Sequence, residues 1–249
     1  RDLVRSRGLG DVYKRQILLT INLSSTAKTF VVSIGVATYK NISPLVKSER
    51  DAQTLAEFYS RANADVVTIT SNKATLECII NTLETHFSKA GAHDRVIIFF
   101  SGHGFNGGLC PYDITEDAKS ALLYSDISQI LKNCHAKEKF VFIDACNSGG
   151  IRVAADTEIL TDNDAILFFL STKASEFSTE HALQANGYFT KYLIRGLRGG
   201  ADTDGNRIIT AKELFDFVNS NVESATKGRQ HPVMWGRFDS ETVITSFVK

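Results

Sequence analysis

Two apolar runs, Val96–Phe100 and Phe140–Ile143, each end directly on a glycine-containing turn. The turns read Ser101-Gly102-His103-Gly104 and Asp144-Ala145-Cys146-Asn147-Ser148-Gly149. Continuous Val, Ile and Phe without polar alternation marks parallel strands buried on both faces. In such sheets chemistry gathers just past the carboxyl ends of the strands. A histidine and a cysteine at that edge suit a general base and a nucleophile, which points to a cysteine hydrolase.

The rest of the chain supplies the matching scaffold. Phe30–Val36, Val66–Ile69 and Ile166–Leu170 read as further strands. Between them, apolar residues recur at helical spacing. Ser48 with Asp51 three residues on resembles a capping box opening a helix whose Ala52, Leu55, Ala56 and Tyr59 share one face. Leu76, Ile79, Ile80, Leu83 and Phe87 mark a second helix. Ile127, Ile130, Leu131 and Cys134 mark a third, opened by Ser125 or Asp126. Phe189, Tyr192, Leu193 and Leu197 mark a fourth, and Leu214, Phe217, Val218 and Val222 a fifth that starts near Ala211. The alternation predicts an α/β fold with a mostly parallel sheet and helices on both faces. Residues 28–249 read as one domain, with long connections at Phe105–Tyr124 and Asn147–Asp164 of the length that often carries function.

Composition narrows the partners. The 28 basic and 28 acidic residues of this 249-residue chain cancel, which argues against nucleic acid as the main partner. No apolar run is long enough to span a bilayer. Asp11-Val12-Tyr13-Lys14-Arg15-Gln16 matches the translation of a transposon end used in preparing sequencing libraries, so Arg1–Gln16 reads as a non-native leader. Ile17–Leu23 followed by Ser24-Ser25-Thr26-Ala27 has two readings. One is the remnant of a signal peptide, which implies a periplasmic or secreted protein; the other is a first strand or lead-in, which leaves it cytoplasmic.

Cys78, Cys110, Cys134 and Cys146 are too few for a disulfide framework at this length. Cys78 and Cys134 fall on apolar helical faces and read as small core residues. Cys134-His135 has no partner pair at zinc-site spacing. Cys146 differs because of its turn. A free thiol, with a pKa of about 8.5, needs a base to become a nucleophile near neutral pH. His103 on the neighbouring strand end is that candidate base, and the amides of Gly104 and Cys146 are candidate oxyanion donors.

At these residues the chain resembles the caspase/metacaspase family. The Ser-Gly-His-Gly and Asp-Ala-Cys-x-Ser-Gly turns are similar to the family's two signatures. Glu49-Arg50-Asp51-Ala52, Cys110-Pro111-Tyr112-Asp113, Gly187-Tyr188-Phe189-Thr190 and Gln230-His231-Pro232 resemble further family segments. The resemblance implies a caspase-like fold, a central sheet of about six strands and a cysteine endopeptidase using His103 and Cys146. It implies protein or peptide substrates and no organic cofactor. In metacaspases the Asp of the Asp-x-Cys turn lines the specificity pocket; this maps onto Asp144 and implies cleavage after Arg or Lys. The competing reading of Asp144 is a carboxylate capping a turn. Glu176 and Glu180 are further pocket candidates, and Arg152 is the candidate self-cleavage site. Asn147 departs from the His common in metacaspases, and Cys110 from the usual Leu.

Asp202, Asp204, Asn206 and Glu213 stand at calcium-loop spacing, and metacaspases are often calcium-activated, so Ca2+ is a candidate ligand. Arg207, however, sits where that loop needs glycine. The local alternative, favoured here, is a Thr210–Glu213 capping box after an Asp-Gly-Asn turn. Two rival functions stay open: a catalytically idle caspase-like scaffold or sensor, and a related cysteine protease selecting Asp or Asn.

Overall fold

The first expected strand, β1 (Thr29–Gly35), lies parallel between β2 (Asp65–Thr70) and β3 (Arg95–Gly102). This computed structural model describes residues 27–105, 107–115, 117–145, 166–171, 187–236 and 239–246. Beyond β3, three two-residue strands, β4 (Gly104–Phe105), β5 (Gly108–Leu109) and β6 (Leu122–Leu123), form a small antiparallel sheet. The main sheet continues with β7 (Glu138–Ala145) and β8 (Ile166–Leu170), both parallel to β3. A short β-pair joins β9 (Ile208–Thr210) to β11 (Val243–Ser246). β10 (Val233–Gly236) closes the main sheet antiparallel to β8, giving six strands in the order β10-β8-β7-β3-β1-β2.

Alternate residues of each strand feed two cores, as the two-residue period requires. Val32, Ile34, Ile98, Phe100, Val141 and Ile143 face α2 (Leu76–Phe87) and α3 (Tyr124–Asn133). Val31, Ile97, Phe99, Phe140, Phe142 and Phe169 face α1 (Ser48–Arg61), α4 (Tyr188–Arg195) and α5 (Ala211–Thr226). Burial of each such Phe stabilises the fold by about 1.5–3 kcal/mol. The expected mostly parallel sheet with helices on both faces is therefore present.

Two local expectations need correction. The Ser48–Asp51 capping box does not form: Ser48 already lies inside α1, the cap position is Lys47, whose side chain makes no capping bond, and Asp51 turns elsewhere. α3 starts at Tyr124, because Asp126 Oδ2 accepts from the Leu123 amide at 3.1 Å and caps one turn earlier. Cys134 stands at the C-terminal end of α3 and is buried, as expected, and its Sγ donates to the Phe87 carbonyl. The Thr210–Glu213 box does form, with reciprocal bonds of 3.2 and 3.0 Å. Cys78 packs against the core as expected.

Candidate active site

Gly102 stands opposite Ala145 in the last register pair of β3 and β7. His103 follows the first, and the chain continues from the second to Cys146. Two neighbouring parallel strands, about 4.8 Å apart, thus bring the histidine turn beside Ala145, the residue before Cys146.

The half-buried His103 is held by two residues that carry no motif of their own in the sequence. Its Nε2 lies 3.0 Å from the Ser43 carbonyl oxygen. A carbonyl only accepts, so Nε2 carries a proton, and in a neutral ring the lone pair is then on Nδ1. Tyr39 packs its ring 5.0 Å from the imidazole and accepts the His103 amide at 2.6 Å through its hydroxyl oxygen. Gly102 makes room for this: a Cβ there would come within 2.8 Å of the Tyr39 hydroxyl and of the Phe100 ring. Gly104 begins β4, and the His103 carbonyl accepts from Cys110 N at 2.9 Å, so the small sheet braces the turn.

Asp144, the penultimate residue of β7, faces the α1/α4 side and is 9 % exposed. Its Oδ2 accepts from Thr190 N at 3.1 Å and Thr190 Oγ1 at 2.7 Å, which caps the first turn of α4. Asp51, 2 % exposed, accepts from the Gly187 amide at 3.2 Å and from Ser101 Oγ at 3.2 Å. Both carboxylates crowd Gly187, where a Cβ would sit 2.6 Å from Asp144 Oδ2 and 3.4 Å from Asp51 Oδ2. The turn-capping reading of Asp144 is thus realised in its Oδ2. Asp51 joins it as a residue of this edge, and the signal for that was the Asp-Ala pair rather than the apparent capping box.

Ser171, directly after β8, completes the edge. Its hydroxyl accepts from Ala145 N at 3.2 Å and donates to Ala145 O at 3.0 Å. Gln230 Nε2 donates to the Ser171 carbonyl at 3.0 Å. The Cys110–Asp113 segment serves the scaffold. Asp113 Oδ1 accepts from Leu76 N at 2.9 Å and caps α2, and Tyr112 N donates to Ala74 O. Cys110 is buried, which pushes its thiol pKa up to about 11.

The residues at calcium-loop spacing do converge, with Asp202, Asp204 and Glu213 presenting oxygens within 4.8 Å of one another. The loop's own donors already engage these groups. Asp202 accepts from Gly205 N and Arg207 N, Asp204 from Asn206 N, and Asn206 Oδ1 from Ile208 N. Burial pulls the Glu213 carboxyl upward, but hydrogen bonds from Thr210 and Thr203 outweigh it and hold the pKa below the usual range. Arg207 adopts the left-handed φ of +67° that the loop would give to glycine.

Cys146, Asn147, Arg152, Glu176 and Glu180 lie outside the described residues, as do residues 1–26 with the leader and nearly all of the signal-like segment. No helix among the described residues is long and apolar enough to cross a membrane.

A family model described as the caspase domain, of peptidase family C14, matches residues 28–241. Among solved structures, the crystal structure of protein GSU0716 from Geobacter sulfurreducens is similar, with a TM-score of 0.64 at 18% identity. The match covers 84% of this chain and 92% of that one, and it speaks for the fold alone. No curated protein matches the chain. With the family model covering nearly everything from β1 to the turn before β11, and with the histidine turn and the Asp-x-Cys strand side by side in the sheet, the chain belongs to the caspase-domain family of peptidases.

Proposed function

We propose that the protein is a cysteine endopeptidase of metacaspase type that cleaves after Arg or Lys. The observation that carries this is the Nε2 contact of His103 with the Ser43 carbonyl. It leaves Nδ1 as the nitrogen for proton transfer, on a turn whose strand runs beside the one that leads into Cys146. His103 takes the thiol proton, and the thiolate attacks the scissile carbonyl to give a tetrahedral oxyanion facing the amides of Gly104 and Cys146. Collapse breaks the C–N bond as His103 returns the proton to the leaving amine. Water, deprotonated by the same imidazole, then hydrolyses the thioester and frees the thiol.

The specificity follows from charge. Asp144 and Asp51 bring two carboxylates to one point beside Gly187, at the edge that carries the histidine turn. A guanidinium or ammonium group is the complementary partner. Arg152, the basic residue of the connection after the nucleophile, is the bond we expect the enzyme to cut in itself.

Labelling with an arginyl chloromethyl ketone, read by peptide mapping, tests the reading. Modification of Cys146 that is lost in Cys146→Ala and His103→Ala supports it. Absence of both labelling and peptide turnover would favour the idle scaffold instead. A peptide library showing preference for Asp or Asn before the scissile bond would remove the role given to Asp144.

A further inference from the structure

Ala145, the residue to which Cys146 is bonded, is held at both of its backbone polar groups by one hydroxyl. Its N–H donates to Ser171 Oγ at 3.2 Å, and its carbonyl accepts from the same oxygen at 3.0 Å. Ser171 is itself fixed from two sides. Its amide extends the β7–β8 ladder to Ile143 O at 2.9 Å, and its carbonyl accepts from Gln230 Nε2 at 3.0 Å. Gln230 in turn donates its amide to Thr226 Oγ1 at 3.1 Å, and that hydroxyl donates to Val222 O at 2.8 Å within α5. Ala145, Ser171, Thr226 and Gln230 are all at most 1 % exposed, so water does not substitute for these bonds.

A trans-planar peptide carries the carbonyl of one residue and the amide of the next in a single plane. Whatever fixes the Ala145 carbonyl therefore fixes the plane through which the nucleophile is attached. We propose that Ser171 and Gln230 are positioning residues that fix the peptide through which Cys146 is attached, with Gln230 acting through Ser171. Neither takes part in bond making. The assignment rests on the peptidase reading, and it gives a role to Gln230-His231-Pro232, a segment that the mechanism does not use.

Two variants of the full chain test this. Ser171→Ala removes the hydroxyl without adding bulk. Gln230→Met removes the donor while keeping the volume, and it also removes Oε1, a buried acceptor with no partner among the described residues. Thiols are titrated with arginyl chloromethyl ketone, so that turnover is counted per competent site. Ser171→Ala lowers kcat per titrated thiol about 10–100-fold. KM for an arginyl peptide stays within about twofold, since ground-state binding is untouched. The inhibition constant of the matching peptide aldehyde, whose adduct is tetrahedral, rises in step with the loss of kcat. Gln230→Met gives a smaller loss, and the double variant is no slower than Ser171→Ala, as expected for residues acting in series.

Unchanged kcat per titrated thiol, or additive losses in the double variant, overturns the inference. An inert wild-type protein sinks the peptidase reading and this role together, whereas an active wild type with an unaffected Ser171→Ala sinks the role alone. Amide hydrogen exchange guards against misfolding. In Ser171→Ala the Ala145 amide exchanges faster while that of Phe142 keeps its protection, and equal exchange at Ala145 in both proteins also overturns the clamp.

Discussion

The hydroxyl oxygen of Tyr39 accepts the His103 amide at 2.6 Å, while its ring packs against the imidazole that the same backbone carries. Tyr39→Phe separates the two contacts by keeping the ring and deleting the acceptor. A half-buried amide left unpaired costs about 1 kcal/mol. The expected outcome is a thermal midpoint lower by about 2–4 °C and a kcat about tenfold lower. Calorimetry alongside peptide hydrolysis checks this, and Tyr39→Leu, which loses the ring as well, falls further in both.

Asp144 is expected to serve two ends, and substitution can part them. Asp144→Asn keeps an oxygen for Thr190 but removes the charge. Its stability stays close to wild type, while kcat/KM for arginyl peptides falls about a hundredfold, the scale of losing one member of a buried charge pair. Asp144→Ala forfeits the cap too and loses about 1 kcal/mol of stability. An Asp144→Asn protein that still prefers arginine confines this carboxylate to capping α4.

Burial makes Cys110 a poor nucleophile. With its pKa near 11, only about one Cys110 thiol in a thousand is ionised at pH 8. Iodoacetamide at that pH leaves Cys110 unmodified in the folded protein and alkylates it after unfolding, as mass mapping of the Cys110 peptide shows.

Glu213 ties the acidic loop to α5. Its folded pKa lies below the unfolded value, so its contribution is complete above about pH 5 and is lost as the pH falls through the folded value. Glu213→Ala lacks that contribution at every pH. The expected result is a loss of about 1 kcal/mol at pH 7 that shrinks toward zero in strong acid, measured by urea unfolding across the range. A difference independent of pH contradicts the assignment.

The sheet was legible because its strands are apolar on both faces, a pattern that leaves few alternatives. β10 was not. Val233–Gly236 is short and half-buried, and its place beside β8 depends on contacts such as Trp235 against Phe168 that no local pattern announces. Of the site, His103 and Asp144 stood out because each follows a strand that reads clearly. Asp51 was misread, since an acid three residues after a serine fits a helix cap as well as it fits a site. Ser43 and Ser171 left no trace in the sequence. One acts through its carbonyl, which every residue has, and the other matters only because β7 and β8 are in register.

The side-chain clamp on the Ala145 backbone comes from residues that follow it in the chain. Synthesis therefore delivers Cys146 before Ser171, and Ser171 well before Gln230. A nascent chain halted anywhere in between carries its thiol without the support behind it. The clamp on Ala145 is thus assembled only after the segment carrying Gln230 has emerged.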